Sequence, residues 1–186
     1  PAGGVPRYRL SLGVRAVGLR GDTLCGDCGT SFQCGVTQYV LLCDGMGTGS
    51  GAQSDAQEAI SVLQSLLTLG FDAMDAAAML NELYVLRGDG CFSTVDLLEM
   101  DLCTGEGAIY KWGAAPSYLK KGGTVKKIGT ASPPPGLAAG VVACASESEP
   151  DDRTAVIVQL DPASMQPHHT TRRARSVSKS GAEPHI

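Results

Sequence analysis

The chain has 186 residues, 43% apolar and 18% charged, which suits one globular domain with a real core and excludes a disordered chain. Its formal net charge is −4, and because Arg172, Arg173, Arg175 and Lys179 gather near the C-terminus, the remainder is more acidic still. An acidic body speaks against nucleic acid as a partner, and no apolar run approaches the ~18 residues that span a bilayer, so no membrane contact is expected for this segment.

Taken in chain order, the first pattern is the alternation of Tyr8, Leu10, Leu12, Val14 and Ala16, a half-buried strand within residues 7–19. RGDTLCGD is a polar loop broken by glycine. SFQCGVTQYVLLCD reads as a hairpin with Gly35 near its turn and Tyr39 to Cys43 as an inner strand. A glycine-rich turn follows. Two helices are then predicted. The first covers 53–69, with Ile60, Leu63 and Leu67 on one face and Gly70 at its exit. The second covers 72–86, with Asp72 as N-cap and Asp75 in the first turn, and ends by Gly88. Met74 and Met79 are read as core residues of that helix.

Strands return with CFSTVDLLEMDL and AIYKWG, then SYLKKGGTVKKI, whose Gly122-Gly123 marks a tight hairpin. Three successive prolines, Pro133 to Pro135, require an extended loop. TAVIVQL is read as a buried strand, and the polar stretch 161–186 as a disordered tail. Strands, a helix pair and strands again give an α+β fold with antiparallel sheet.

The seven cysteines have no repeating spacing, which reads as mostly reduced thiols in a cytoplasmic setting. Cys25 and Cys28 form a C-x-x-C without a second Cys/His pair at zinc spacing, leaving a redox or metal role as a minor alternative to buried thiols. The chain begins at Pro1 rather than Met, so an upstream membrane tether stays open.

Asp44 raises the sharper question. It ends an apolar strand, and Gly45, Gly47, Gly49 and Gly51 follow it. A carboxylate at a strand end with small neighbours lets backbone oxygens approach a hard cation such as Mg²⁺ or Mn²⁺. A plain turn is the competing reading. Asp151-Asp152, just before the last strand, repel each other unless a metal or Arg153 sits beside them; a solvated loop is the alternative.

The segments GDTLCGD, LLCDGMGTGSGA, STVDLLEMDLCTG, WGAAPSYLKKGG and DDRTAVIV occur in this order. Together they resemble the metal-dependent serine/threonine phosphatases of the PPM (type 2C) superfamily, in the branch of stage II sporulation protein E and related anti-sigma regulators. The resemblance implies a four-layer α-β-β-α sandwich of two antiparallel sheets flanked by helices, over residues 1–160. It implies two Mn²⁺ or Mg²⁺ ions, with Asp44 bridging both, the Gly45 carbonyl binding one, Asp151 holding a metal and Asp22 placed nearby. The two ions would activate a water against a phosphoserine or phosphothreonine protein, without a covalent enzyme intermediate. The helix pair matches the region that acts as a regulatory switch in these phosphatases. A homodimer is left open.

The chain departs from the pattern in one place. The family's Ser-Asp-Gly motif should lie between Gly136 and Asp151, and that interval holds no Asp-Gly. Either a further segment belongs between 137 and 150, or the protein is a non-catalytic binding module that lacks the third metal carboxylate.

Overall fold

Alternating residues in β2 (Asp27–Cys34) and β3 (Thr37–Gly45) make a hairpin around Gly35 and Val36, as the pattern predicts. Phe32 and Tyr39 meet across it as a stacked pair, with ring centroids 5.1 Å apart. The computed structural model of the chain describes residues 4–17, 25–129, 132–137 and 153–163, the side chains of 153–155 excepted. The expected tail from residue 164 onward therefore lies outside the described residues. Antiparallel β4 (Ser93–Asp101) joins β3, and β5 (Gly107–Trp112) joins β4, giving a four-stranded sheet in the order β2-β3-β4-β5.

Two helices cover one face of this sheet. α1 runs from Gly49 to Thr68, four residues earlier than the sequence suggests, because the glycine-rich turn feeds straight into it. Its stripe of Ala56, Ala59, Ile60, Leu63 and Leu67 packs on Tyr39, Leu41, Cys43, Val95 and Leu97. Burying each large aliphatic side chain stabilises the fold by roughly 1.5–3 kcal/mol. α2 (Ala73–Arg87) has the cap read from its sequence: the Asp75 amide donates to Asp72 Oδ1 at 2.8 Å. Asp72→Ala is expected to cost about 1 kcal/mol, seen as a lower denaturation midpoint with an unchanged slope.

The inner side of α2 is mostly small: Ala73, Ala76, Ala77, Leu80 and Tyr84 are buried. The two methionines are not core, contrary to the sequence reading: Met74 is 59% exposed and Met79 44%. α2 carries large apolar residues on its open side as well, Met74, Met79, Val85 and Leu86, so apolar content alone does not tell the covered side from the open one. Polar contacts fix its orientation. The Tyr84 hydroxyl bonds Ser93 Oγ at 2.9 Å and donates to the Asp55 carbonyl at 3.3 Å. Arg87 pairs with Asp55, Glu58 and Asp89. The Gly136 amide, after the proline run, donates to Asn81 Oδ1 at 3.0 Å and seats that loop on α2.

The other strands form two separate antiparallel ribbons. β1 (Tyr8–Val17) pairs with β8 (Arg153–Pro162), and β6 (Ser117–Lys121) pairs with β7 (Thr124–Ile128) through the predicted Gly122-Gly123 turn. β8 is less buried than its composition suggests. Ile157 is 72% exposed, because it shares the open face of the strand with Gln159, while Val156, Val158 and Leu160 on the other face are half-buried. β1 is anchored where the Arg7 and Tyr8 amides donate to the Leu102 carbonyl. The α+β class and antiparallel pairing agree with the sequence reading. Among the described residues, no helix is long and apolar enough to cross a membrane.

Candidate metal centre

The period of two along β3 decides where Asp44 goes. Tyr39, Leu41, Cys43 and Gly45 are buried on the helix side, so Asp44 emerges on the opposite face, half-buried. The backbone of Gly45 lies hard against α1: a Cβ there would sit 1.9 Å from the Ala52 carbonyl oxygen. Only glycine permits this approach. Gly47 and Gly49 then take φ of 84° and 81°, which side chains other than glycine adopt at a cost. The turn after Asp44 therefore needs its glycines, and it holds the carboxylate at the sheet's end.

Asp27 is the direct cross-strand partner of Asp44, and Thr94 is its partner on the other side. Directly opposed side chains in an antiparallel pair lie on one face with Cβ atoms about 4.5–5.5 Å apart. Both carboxylates are half-buried. Like charges so placed repel, and a divalent cation between them would turn that repulsion into coordination. Asp96, the cross-strand partner of Leu42, shares the face one diagonal step away. Its charge is already engaged by Lys111, whose side chain is only 5% exposed, and its Oδ2 accepts from Ser117 Oγ at 3.1 Å. Asp96 is thus paired with Lys111, and Asp27 with Asp44 is the directly opposed pair of carboxylates whose oxygen donors suit a hard cation.

Asp27 was not among the residues picked out from the sequence. Asp22, which was, lies outside the described residues, and so does Asp151. No group of three or more metal-ligating side chains is assembled among the described residues. His168, His169 and His185 also lie outside them.

On the helix side of the same strands, burial pushes the thiols of Cys28 and Cys43 up. Cys25 and Asp27 add to the effect at Cys28, and Cys28, Asp44 and Asp96 add to it at Cys43. Raised thiols suit packing rather than fast nucleophilic catalysis.

Residues 36–162 match the family model described as stage II sporulation protein E (SpoIIE). Stage II sporulation protein E of Bacillus subtilis (strain 168) is 31% identical over 137 residues, which is 73% of this chain and 17% of that protein. The chain thus spans about a sixth of the length of that relative. A structure of the PP2C phosphatase domain and a regulatory-domain fragment of SpoIIE from B. subtilis superposes with a TM-score of 0.66 at 27% identity, over 81% of this chain and 43% of that one. RsbX in complex with magnesium shares the fold at 13% identity, with a TM-score of 0.57 over 81% of this chain and 71% of that one. With more than half its length matched by the family model, the chain belongs to the stage II sporulation protein E (SpoIIE) family.

Proposed function

We propose that this chain is a metal-dependent protein serine/threonine phosphatase, hydrolysing a phosphoserine or phosphothreonine protein of a bacterial regulatory pathway. One observation carries the proposal: two half-buried carboxylates, Asp27 and Asp44, stand opposite each other at the end of a sheet. Family membership and likeness to a PP2C phosphatase domain support it. Asp44, Asp27 and the Gly45 carbonyl would hold Mn²⁺ or Mg²⁺, with Asp151, two residues before β8 in the sequence and outside the described residues, as a further ligand. Asp22, placed near the metal by the sequence reading, lies outside the described residues, and Asp27 is added to the proposed ligands on the strength of its pairing with Asp44. Cations held there supply the Lewis acidity that activates water toward phosphorus. The chain's own part is to fix the two carboxylates at sheet spacing and to hold the Gly45 backbone in place against α1. Residues 1–160 make up the phosphatase domain in this proposal.

The test is hydrolysis of p-nitrophenyl phosphate with and without millimolar Mn²⁺. Metal-dependent turnover is expected, and Asp27→Asn, which removes a charged donor from the proposed ligand pair, should lower it by at least about 10–100-fold, the loss that changing a group behind a ligand already brings. The second reading, a non-catalytic module, is favoured by the lack of an Asp-Gly between residues 137 and 150. Absence of turnover in the folded protein at saturating Mn²⁺ would establish that reading instead.

A further inference from the structure

Cys28 and Cys43 are direct partners across β2 and β3, one residue from the Asp27–Asp44 pair and on the opposite, helix-facing side. Paired positions in an antiparallel ladder hold their Cα atoms about 4.5–5.5 Å apart. A disulfide bridges Cα atoms about 4.4–6.8 Å apart, so this pair needs no backbone rearrangement to close. Both cysteines are free thiols. Their access differs. Cys43 is fully buried, whereas Cys28 is half-buried and donates its S–H to the Gln53 carbonyl at 3.7 Å. Cys28 also lies near the end of β2, which is an edge strand of its sheet among the described residues, where local opening is easiest.

We propose that Cys28 and Cys43 are a redox modification site that closes to a cross-strand disulfide in the presence of a peroxide. In the first step the Cys28 sulfur attacks a peroxide oxygen of hydrogen peroxide. The O–O bond breaks, one water leaves, and Cys28 becomes a sulfenic acid. In the second step the Cys43 sulfur attacks the Cys28 sulfur. The S–O bond breaks, the hydroxyl leaves as a second water with the Cys43 proton, and the S–S bond forms. Two thiols have lost two electrons and two protons, and one peroxide has become two waters. A reductant of the dithiol class reverses the change. Because one thiol is shielded, the reaction runs over minutes to hours. The proposal does not depend on the phosphatase reading.

The intact chain, fully reduced, is exposed to hydrogen peroxide, its remaining thiols are alkylated, and the product is mapped after pepsin digestion. The expected result is one cross-linked peptide pair holding Cys28 and Cys43, lighter by two hydrogens and released by dithiothreitol. Cys28→Ser should lose that product. Cys28→Ala, with folding checked by circular dichroism, gives the same reading should serine disturb the packing. Cys25→Ser should retain it in full. A bridge that vanishes in Cys25→Ser, a bridge mapped to Cys25–Cys28, or no cross-link in the folded protein would overturn the proposal.

Discussion

Asp44→Asn is expected to remove Mn²⁺-dependent phosphatase activity almost completely, by more than about 100-fold, since in the proposed site Asp44 is the carboxylate that bridges both cations. The reason lies in the pairing of β2 with β3. Asp44 and Asp27 are opposed carboxylates, and an amide in place of one removes a full negative charge from the cation's cradle. The fold should survive, because Asn keeps the shape of Asp and the helix-facing packing of Cys43 and Gly45 is untouched. The metal-free variant should melt at or above the temperature of the metal-free native protein, because one of two repelling charges is gone. Mn²⁺ stabilises the native protein by mass action, and this stabilisation should shrink or vanish in the variant. The combination of lost activity, lost metal-induced stabilisation and undiminished apo stability is the signature. Retained turnover, or a variant that melts well below the native apo protein, would overturn the assignment.

Much of this arrangement was legible in the sequence, and the part that was not has a physical explanation. Helix caps and hairpin turns are local, so Asp72, Gly88, Gly35 and Gly122-Gly123 were readable and agree with the structure. The site depends on register, which is long-range. The chain carries Gly-Asp twice in quick succession, at Gly21-Asp22 and at Gly26-Asp27, and the first was picked out. The hairpin turn itself held the missing signal. With Gly35 and Val36 as the turn, Cys34 pairs with Thr37, and counting outward along both strands brings Asp27 opposite Asp44. Burial of the flanking strands was harder to read. β8 is rich in branched apolar residues, yet Ile157 is exposed, since composition records what a strand prefers and not which of its faces is covered. α2 misled for a related reason: Met74, Met79, Val85 and Leu86 put apolar residues on its open side too, and Tyr84, Asn81 and Arg87 orient it through polar contacts with β4, the Gly136 loop and α1.

The carboxylate face and the core share strands, which makes the precision of the proposed site depend on the packing beneath it. Asp44 lies between Cys43 and Gly45, and both of these are buried against the helix layer. Any shift of α1 moves the Gly45 backbone, because the Ala52 carbonyl leaves no slack there. The two carboxylates stay opposed only while α1 holds β3 in place. Stability and catalysis should therefore fail together when the core is damaged, and separately when only the polar face is changed.

Leu63→Asp is the sharpest test of that dependence, and it is expected to unfold the domain. Leu63 is 0% exposed at the centre of the α1 stripe, among Ile60, Leu67, Leu41 and Leu97. The substitution removes an aliphatic side chain worth about 2–5 kcal/mol in such a site. It also places a carboxylate among apolar neighbours, at a further cost of several kcal/mol even if the group takes up a proton. Together these approach the ~5–15 kcal/mol by which a domain of this kind is stable. Circular dichroism should show a collapsed thermal transition, and Mn²⁺ should not restore it, since a cation at the opposed carboxylates cannot relieve a charge on the other side of the sheet. The milder Leu63→Ala should stay folded with a lowered melting temperature and retain metal-dependent activity below its transition. A folded and active Leu63→Asp protein would mean that α1 does not bury this stripe and that the helix layer does not support the site.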